Sequence, residues 1–278
     1  MPSEKRDSVV YLVNEEQLSI RKACFIIGIS RSTFQYKSIL KDDSDVIEYL
    51  DQLTQKHVNI GFWQCHYRLR NKGILINHKR LYRVYTTMKL NLRRKRKKRL
   101  PQRMKQELAK CTAVNQTWSM DFLSDKLTDT RSFRIFNIID DYNRESLKID
   151  IDTSMPSRRV IQNLEEISFY RGYPSNIRVD NGPEFISNAL QVWCEQRKIN
   201  LLYIQPGKPM QNGYVERNNG SMRQEVLDAY MFTSLAQARE LIYQWQEDYN
   251  FERPHKALKY KSPKTFLINE KGGEVFST

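Results

Sequence analysis

Cysteine is scarce in this sequence, and its placement excludes some common uses. The four cysteines, Cys24, Cys65, Cys111 and Cys194, are far apart, and none forms a Cys-x-x-Cys pair. The nearby histidines do not lie at zinc-ligand spacing from Cys65, so a structural zinc site is not predicted. A reduced, intracellular chain is the simplest interpretation.

Long hydrophobic runs are also missing. No apolar stretch approaches the ~20 residues that span a bilayer, and the first six residues lead into no signal-peptide core. The sequence therefore predicts a soluble cytoplasmic protein with no membrane partner.

Basic residues outnumber acidic residues in this chain. The chain has 278 residues, 46 Lys and Arg, 32 Asp and Glu and a net charge of +14. This balance favours a nucleic-acid partner, although a solvated basic surface is the plainer alternative. Clustering favours DNA, and we interpret residues 93–112 as a basic linker that contacts phosphates. Its consecutive cations are Arg93, Arg94, Lys95, Arg96, Lys97, Lys98 and Arg99.

Two helical patterns precede this linker, the first in residues 15–37. An apolar helix face is followed by Gly28, which allows a turn, and by Ser30, which can cap a second helix. This helix-turn-helix pattern places Arg31, Gln35 and Lys37 where side chains reach phosphates and base edges in a major groove. A plain helical hairpin has the same pattern, so the pattern alone leaves DNA binding open.

The second helical pattern covers residues 62–89. Gly73 ends its first helix, and Asn77 can cap the next one. We interpret the aromatic residues here as packing. The expected core residues of the first helix and its turn are Trp63, Tyr67, Leu69 and Leu75. The basic candidates for DNA contact are Lys79, Arg80 and Arg83.

From about residue 113 the pattern changes to strands alternating with helices. The predicted strands are 117–122, 134–139, 147–151, 177–179 and 201–204. Apolar residues at helical spacing predict helices around residues 160–167, 185–193 and 235–245. Several α/β folds fit such an order of elements.

Three carboxylates stand out in this part of the chain. Asp121 lies in a β-favouring stretch, Asp180 ends a short apolar run, and Glu216 lies in a helical segment that continues to Leu227. We expect both aspartates at strand ends, so that three acids from different elements converge. Carboxylate oxygens suit magnesium, and two such ions can activate an oxygen nucleophile and neutralise charge at phosphorus in phosphodiester chemistry.

A family resemblance rests on five strings within residues 116–266. They are WSMDF from residue 118, IDD from 139, DNGPEF from 180, NGYVERNNG from 212 and RPHKAL from 253. In these strings the chain resembles the catalytic, second-reading-frame (OrfB-type) transposases of bacterial insertion sequences. Those enzymes belong to the DDE superfamily, which also contains retroviral integrases. The ordered set is specific, because 58 residues separate Asp121 from Asp180 and 35 separate Asp180 from Glu216.

The resemblance implies an RNase H-like α/β catalytic domain preceded by all-α helix-turn-helix DNA-binding modules. The implied divisions are a helix-turn-helix module at 1–40, a second helical module at 41–92, the linker at 93–112 and the catalytic core with a C-terminal helix at 113–278. It further implies that Asp121 bridges two Mg²⁺ ions while Asp180 and Glu216 hold one each, with Mn²⁺ as a substitute. The implied activity is nicking and strand transfer at terminal inverted repeats.

Other charged residues compete for roles at this site. Asp140, Asp141 and Glu184 lie close in sequence to the matching acids, but turns and first helical turns also favour acids, so we do not expect them to be ligands. Arg223 follows Glu216 by seven residues, which predicts the same helix face about 10 Å further along. In the enzymes resembled, a basic residue at this offset contacts a DNA end. A solvated arginine is the plain alternative.

Partners and other functions follow from the same resemblance. Joining paired DNA ends implies a homo-oligomer on double-stranded DNA, associated with the nucleoid when bound. The resemblance also implies a partner or fused segment from an upstream reading frame. Two alternatives stay open: a catalytically silent DNA-binding repressor or scaffold, and a structure-selective nuclease. The presence of all three acids favours the transposase.

Overall fold

A computed structural model describes residues 2–36, 42–92, 111–205 and 209–273 of the chain. Residues Met1–Asp45 and Val46–Thr278 form two compact units. Lys37 and the seven cations of residues 93–99 lie outside the described residues. Within the described residues, no helix is both long and apolar enough to cross a bilayer.

The first unit contains α1 (Pro2–Asn14), α2 (Ile20–Ile27) and α3 (Arg31–Gln35). Gly28 ends α2 with a φ of 66°, a left-handed conformation that glycine adopts without steric cost. The Ser30 hydroxyl accepts a hydrogen bond from the Thr33 amide at 3.0 Å and so begins α3. The predicted helices, turn and cap are confirmed. The sequence analysis missed α1, whose Val9 packs with the buried residues of α2.

Three helices follow, α4 (Ser44–Lys56), α5 (Phe62–Asn71) and α6 (His78–Thr87), and from Val46 onward they belong to the second unit. The Asn77 side chain accepts a hydrogen bond from the Lys79 amide at 2.9 Å, which confirms the predicted cap. A shared apolar core holds the three helices together. Its fully or almost fully buried members include Val46, Leu50, Cys65, Leu69, Leu81, Val84 and Tyr85.

Three of the four residues expected in this core lie outside it, among them Tyr67, which is half-buried and stacks on Tyr260. Trp63 is 54% exposed, and Leu75 is 81% exposed. The buried face of α5 is set by Cys65 and Leu69. Because each helical residue turns by about 100°, Trp63 projects away from that face. The expectation that these three are core residues is therefore wrong, whereas Leu69 is confirmed.

A five-stranded mixed sheet forms the centre of the second unit. Its strands are β1 (Thr117–Lys126), β2 (Ser132–Asp140), β3 (Ser146–Asp152), β4 (Asn176–Val179) and β5 (Asn200–Tyr203), in the order β3-β2-β1-β4-β5. The first three strands pair antiparallel, and β4 pairs parallel with both β1 and β5. All five predicted strands are confirmed, and this topology is the RNase H-like arrangement that the resemblance implies.

Helices cover both faces of the sheet. They are α7 (Ser157–Arg171), α8 (Asn188–Gln196), α9 (Gly213–Met222), α10 (Leu235–Phe251) and α11 (Pro263–Gly273). One apolar core lies between the sheet and α7 and α8, and a second lies between the sheet and α10 with the end of α9. A five-residue π-helical turn, Arg223–Leu227, directly follows α9. Alternation along β1 points Met120 into the first core and Asp121 toward α9.

The helices α4–α6 pack against the sheet domain in the same compact unit, where the sequence analysis expected a boundary. Arg68 on α5 forms a bidentate ion pair with Asp248 on α10, and both side chains are at most 10% exposed. Asn59 and Asn71 donate hydrogen bonds across the same interface, each at 2.9 Å. Contacts about 180 residues apart in sequence leave no local pattern, so the sequence did not reveal this packing.

Candidate active site

Asp121 lies inside β1, opposite Asn137 of β2. This corrects the expectation that it ends a strand. One carboxylate oxygen accepts a hydrogen bond from the Phe122 amide, and the other accepts one from the Asn219 side chain, both at 2.8 Å. Both oxygens therefore have fixed directions before any ligand binds.

Asn219 links three elements at this point. It lies one helical turn after Glu216 on α9 and is buried. Its amide nitrogen donates to Asp121, while its amide oxygen accepts from the Asn137 side chain. A second tether lies nearby, where the Asn212 side chain donates to the Met120 carbonyl at 3.1 Å. These bonds fix α9 against β1 and β2, and so set the position of Glu216 relative to Asp121.

The sequence analysis did not identify Asn137, Asn212 or Asn219. A signal existed for Asn219, because residues three positions apart lie on the same helix face as Glu216. For Asn137 the signal was a polar residue in an apolar strand. Only the register of β2 against β1 shows that Asn137 lies opposite Asp121, and register depends on the tertiary structure.

Asp180 directly follows β4, so it does lie at a strand end as expected. Its carboxylate accepts a hydrogen bond from the Gly182 amide at 2.9 Å, which closes a turn. A side-chain carbon at Gly182 would lie 3.0 Å from the Asp180 carboxylate and 3.5 Å from that of Glu184. Glycine at this position lets the chain pass close to the acid.

Glu216 lies in the first turn of α9. That helix begins at Gly213, and the turn Arg223–Leu227 extends it, which confirms the predicted helix through Leu227. Burial raises the pKa of the Glu216 carboxyl above its usual value. An acid near a helix N-terminus interacts favourably with the helix dipole, which offsets part of that cost.

The three acids affect each other electrostatically. The pKa of Asp121 is raised from 3.8 to about 6, chiefly by burial, and the charges of Asp180 and Glu216 raise it further. Hydrogen bonds from Phe122 and Asn219 act in the opposite direction. Among the described residues, none of the three acids forms an ion pair with Lys, Arg or His. A concentration of negative charge without a cation is the main electrostatic property of this site.

The competing acids have cationic partners instead. Arg171 bonds the Asp140 carboxylate at 3.0 Å, Arg178 pairs with Asp141, and Arg134 pairs with Glu184. The Arg134 guanidinium holds the pKa of Glu184 below its usual value. These three acids form ion pairs around the site, and the expectation that they are not ligands stays a prediction.

The basic candidates for DNA contact differ in how exposed they are. Arg31, Gln35, Lys79 and Arg83 are exposed, and Arg80 is half-buried. The arginine predicted to contact a DNA end, Arg223, begins the π-helical turn, and its guanidinium donates to the Ser124 carbonyl at 2.9 Å. This contact holds the arginine against β1 rather than in open solvent. Its role at a DNA end stays a prediction.

The donor set suits a hard divalent cation, since it consists of oxygen atoms alone. Among the described residues, no group of three His, Cys, Asp or Glu side chains is close enough to hold one ion together. The three carboxylates are therefore not gathered around a single point in this structure.

Comparison with known proteins gives consistent matches. The family described as "Integrase core domain" matches residues 112–209 and 197–263. The "Insertion element IS476 uncharacterized 39.2 kDa protein" of Xanthomonas euvesicatoria is 37% identical over 96% of this chain and 78% of its own length. The corresponding IS407 31.7 kDa protein of Burkholderia multivorans is 37% identical over 91% and 92%. The "Transposase for insertion sequence element IS904" of Lactococcus lactis is 25% identical over 71% and 83%.

Proposed function

The chain belongs to the integrase-core family of insertion-element transposases, and from this membership we propose that it binds the terminal inverted repeats of its element, nicks them and transfers the strands. It is a polynucleotidyl transferase of the DDE type. We further propose that Asp121, Asp180 and Glu216 are its catalytic carboxylates.

One observation carries the assignment of these residues. The fold brings three acids into electrostatic contact, raises the pKa of two of them, and provides no cationic partner among the described residues. Such an arrangement is unfavourable for the apo protein, and a bound cation relieves it. The neighbouring acids Asp140, Asp141 and Glu184 are each neutralised by arginine, which supports the choice of the other three.

We propose that Asp121, Asp180 and Glu216 would together hold two Mg²⁺ ions, and that Mn²⁺ would substitute. When bound, such a pair activates the attacking oxygen and stabilises the leaving oxygen. The protein's own contribution is positional. Asn219 and the Phe122 amide fix both oxygens of Asp121, the Gly182 amide fixes Asp180, and Asn212 fixes the start of α9. Fixed ligands reduce the reorganisation needed during the reaction.

We propose that DNA contacts come from the basic residues on the helical parts and the linker. In unit one, Arg31, Gln35 and Lys37 would contact the major groove, and Lys79, Arg80 and Arg83 on α6 would contact a second part of the repeat. Residues 93–99 would supply sequence-independent phosphate contacts, with Arg223 near the cut end. In this proposal residues 1–40, 41–92, 93–112 and 113–278 serve as two recognition modules, linker and catalytic core.

The proposed working form is a homo-oligomer on double-stranded DNA in the bacterial cytoplasm. Transfer of two element ends to one target requires at least two active sites. An upstream-frame segment, as a partner or fusion, is part of this proposal.

The test compares nicking and strand transfer by the wild type with Asp180→Asn and Glu216→Gln, using a labelled duplex that carries the element's end and Mg²⁺ or Mn²⁺. We expect metal-dependent products from the wild type and a loss of at least ~100-fold in each variant. Asp125→Asn, which changes an acid on the same strand as Asp121, is the matched control and should remain active. Sequence-specific binding with no chemistry, even when the upstream-frame segment is added, would favour the repressor or scaffold. Cleavage of any branched duplex regardless of sequence would favour the nuclease.

A further inference from the structure

Trp63 is an exposed ring in an ordered aromatic group on α5 and α6. Its side chain is 54% exposed, whereas the other tryptophans, Trp118, Trp193 and Trp245, are at most 7% exposed. Four rings lie with centroids 5.0 to 6.2 Å from its own, namely those of Phe62, His66, Tyr67 and His78. Neighbouring rings thus hold the indole in place while one side of it faces solvent. Large exposed apolar groups of this kind mark binding surfaces.

Two open grooves flank this ring. The first has a volume of about 430 Å³ and is lined by Phe62, Trp63, His78, Lys79, Tyr82 and Arg83. The second has a volume of about 380 Å³ and is lined by Trp63, Gln64, Tyr67, Pro254, Lys256 and Tyr260. Tyr67 and Tyr260 stack with centroids 3.5 Å apart, so the second groove joins α5 to the segment that follows α10.

The charge of both grooves is positive. Lys79 in the first and Lys256 in the second are exposed, and none of the described lining residues is acidic. Aromatic faces flanked by cations match the chemistry of unpaired nucleotides, which present base faces and phosphates together. Base pairs inside a duplex are stacked on each other and do not expose their faces to a side chain.

We propose that this aromatic–basic surface, defined by the residues of the two grooves, binds unpaired nucleotides of a DNA strand, with a base stacked on Trp63 and phosphates beside Lys256. Lys79 would lie where the duplex ends and the unpaired strand begins. The inference rests on the proposed function only in taking DNA as the substrate. Nicking and end fraying produce such nucleotides. The surface differs from the carboxylate site and needs no metal.

The distribution of tryptophans provides a direct readout. Because Trp63 is far more exposed than the other three, stacking of a base should quench the protein's intrinsic fluorescence through this residue. The full chain is titrated in EDTA, which prevents cleavage, with an unlabelled thymidine oligonucleotide of about 12 nucleotides, a length within known single-strand site sizes. We expect saturable quenching. Trp63→Phe keeps a flat ring, so it should lose the quenching but retain most of the affinity.

Variants measured by anisotropy with a labelled oligonucleotide test the stacking itself. Trp63→Ala and Trp63→Leu should each weaken single-strand binding about tenfold, the change that roughly 1.4 kcal/mol of stacking produces. Their duplex binding should be unchanged. Phe169→Ala removes a ring that is 82% exposed elsewhere on the unit and should have no effect. Lys256→Ala should lower the salt dependence of single-strand binding by about one counterion.

Three outcomes would overturn the proposal. Trp63→Ala could bind the single strand as tightly as the wild type. The variant could lose duplex and single-strand affinity equally, which would make the surface part of the duplex grip. Polyglutamate of equal charge could displace the oligonucleotide equally well, which would indicate an acidic partner. Failure of the nicking assay contradicts the proposed function alone, because these measurements are made without catalysis.

Discussion

Two groups of acids lie on the same sheet domain and differ in their partners. The paired acidic cluster consists of Asp140, Asp141 and Glu145, which contact Arg171, Arg178 and Lys264. The candidate catalytic triad consists of Asp121, Asp180 and Glu216. Instead of cations, Asp121 contacts Asn219 and the Phe122 amide, and Asp180 contacts the Gly182 amide. Burial acts on both groups. The difference shows that this protein can neutralise buried acids with its own cations, and that none of the cations in the described ranges does so at the triad.

The pKa values reflect this difference in part. Burial acts to raise the pKa of Glu145, but Arg171 and Lys264 bring it below the usual value. The pKa of Asp121 is raised by burial and by its acidic neighbours. Asp141 is intermediate, since burial keeps its pKa raised despite the hydrogen bond from Ser119 and the charge of Arg178. Cationic pairing therefore reduces the cost of burial without always removing it.

The largest effect is expected from breaking the paired acidic cluster. Arg171→Met leaves Asp140, whose side chain is fully buried, without its guanidinium, and weakens the contacts of Glu145. Removing one partner of a buried ion pair costs about 3–5 kcal/mol in the free energy of unfolding. Chemical denaturation followed by circular dichroism measures this loss. Adding Asp140→Asn should restore part of it, and a loss below about 1 kcal/mol for Arg171→Met would contradict the structural role.

At the triad, in contrast, a substitution that removes a charge is expected to stabilise the folded protein. The folded-state pKa of Asp121 is about 6 against an ordinary 3.8. The folded state therefore binds more protons than the unfolded state between these values, and the free energy of unfolding falls as pH rises from about 4 to about 6. A shift of about two units corresponds to roughly 3 kcal/mol. In EDTA, Asp121→Asn should equal the wild type below pH 4 and exceed its stability by up to that amount at pH 7.

Metal addition tests whether a cation removes the loss of stability that the charged Asp121 causes at pH 7. A ligand that binds only the folded state raises the free energy of unfolding as its concentration exceeds Kd. At pH 7, Mg²⁺ should raise the melting temperature of the wild type and leave that of Asp121→Asn unchanged. Equal shifts in both proteins would place the bound metal elsewhere.

The smallest effect is expected at Glu184, an acid four residues beyond Asp180. Its ion pair with Arg134 is partly exposed, and such pairs contribute about 0–1 kcal/mol. Glu184→Gln should therefore change the free energy of unfolding by less than about 1 kcal/mol. Nicking should stay within about threefold of the wild type, because a 0.7 kcal/mol change in the barrier gives about that factor. A loss of nicking as large as that of Asp180→Asn would indicate that Glu184 is a fourth catalytic acid.

Local patterns in the sequence were enough to predict the sheet and the order of its elements. Short apolar, β-favouring runs located all five strands, and helical spacing located α7, α8 and α10. The helix bearing Glu216 was also predicted, but not its change to π-helical geometry at Arg223. Within that turn Glu225 contacts Arg253 and Trp245, which lie at least 20 residues further along the chain, and such contacts leave no local pattern.

The sequence did not predict contacts between residues that are far apart along the chain. Nothing near Arg68 indicates Asp248, and nothing near Asp121 indicates Asn219, because each pair is joined only when distant elements pack. The exposure of Trp63 was misjudged for a related reason. An aromatic residue at helical spacing predicts burial on average, and only the position of the neighbouring helices decides which face is covered.

The buried Arg68–Asp248 pair also has a geometric consequence. It fixes α5, and through the shared core α6, against α10 and the sheet that carries Asp121. A duplex held by α6 would therefore reach the carboxylates at a constant offset along its axis. The protein would act as a ruler that measures the cut from the recognised sequence in base pairs. If base pairs are inserted between the recognised sequence and the element end, the cut should keep its distance from the recognised sequence and so no longer fall at the element end.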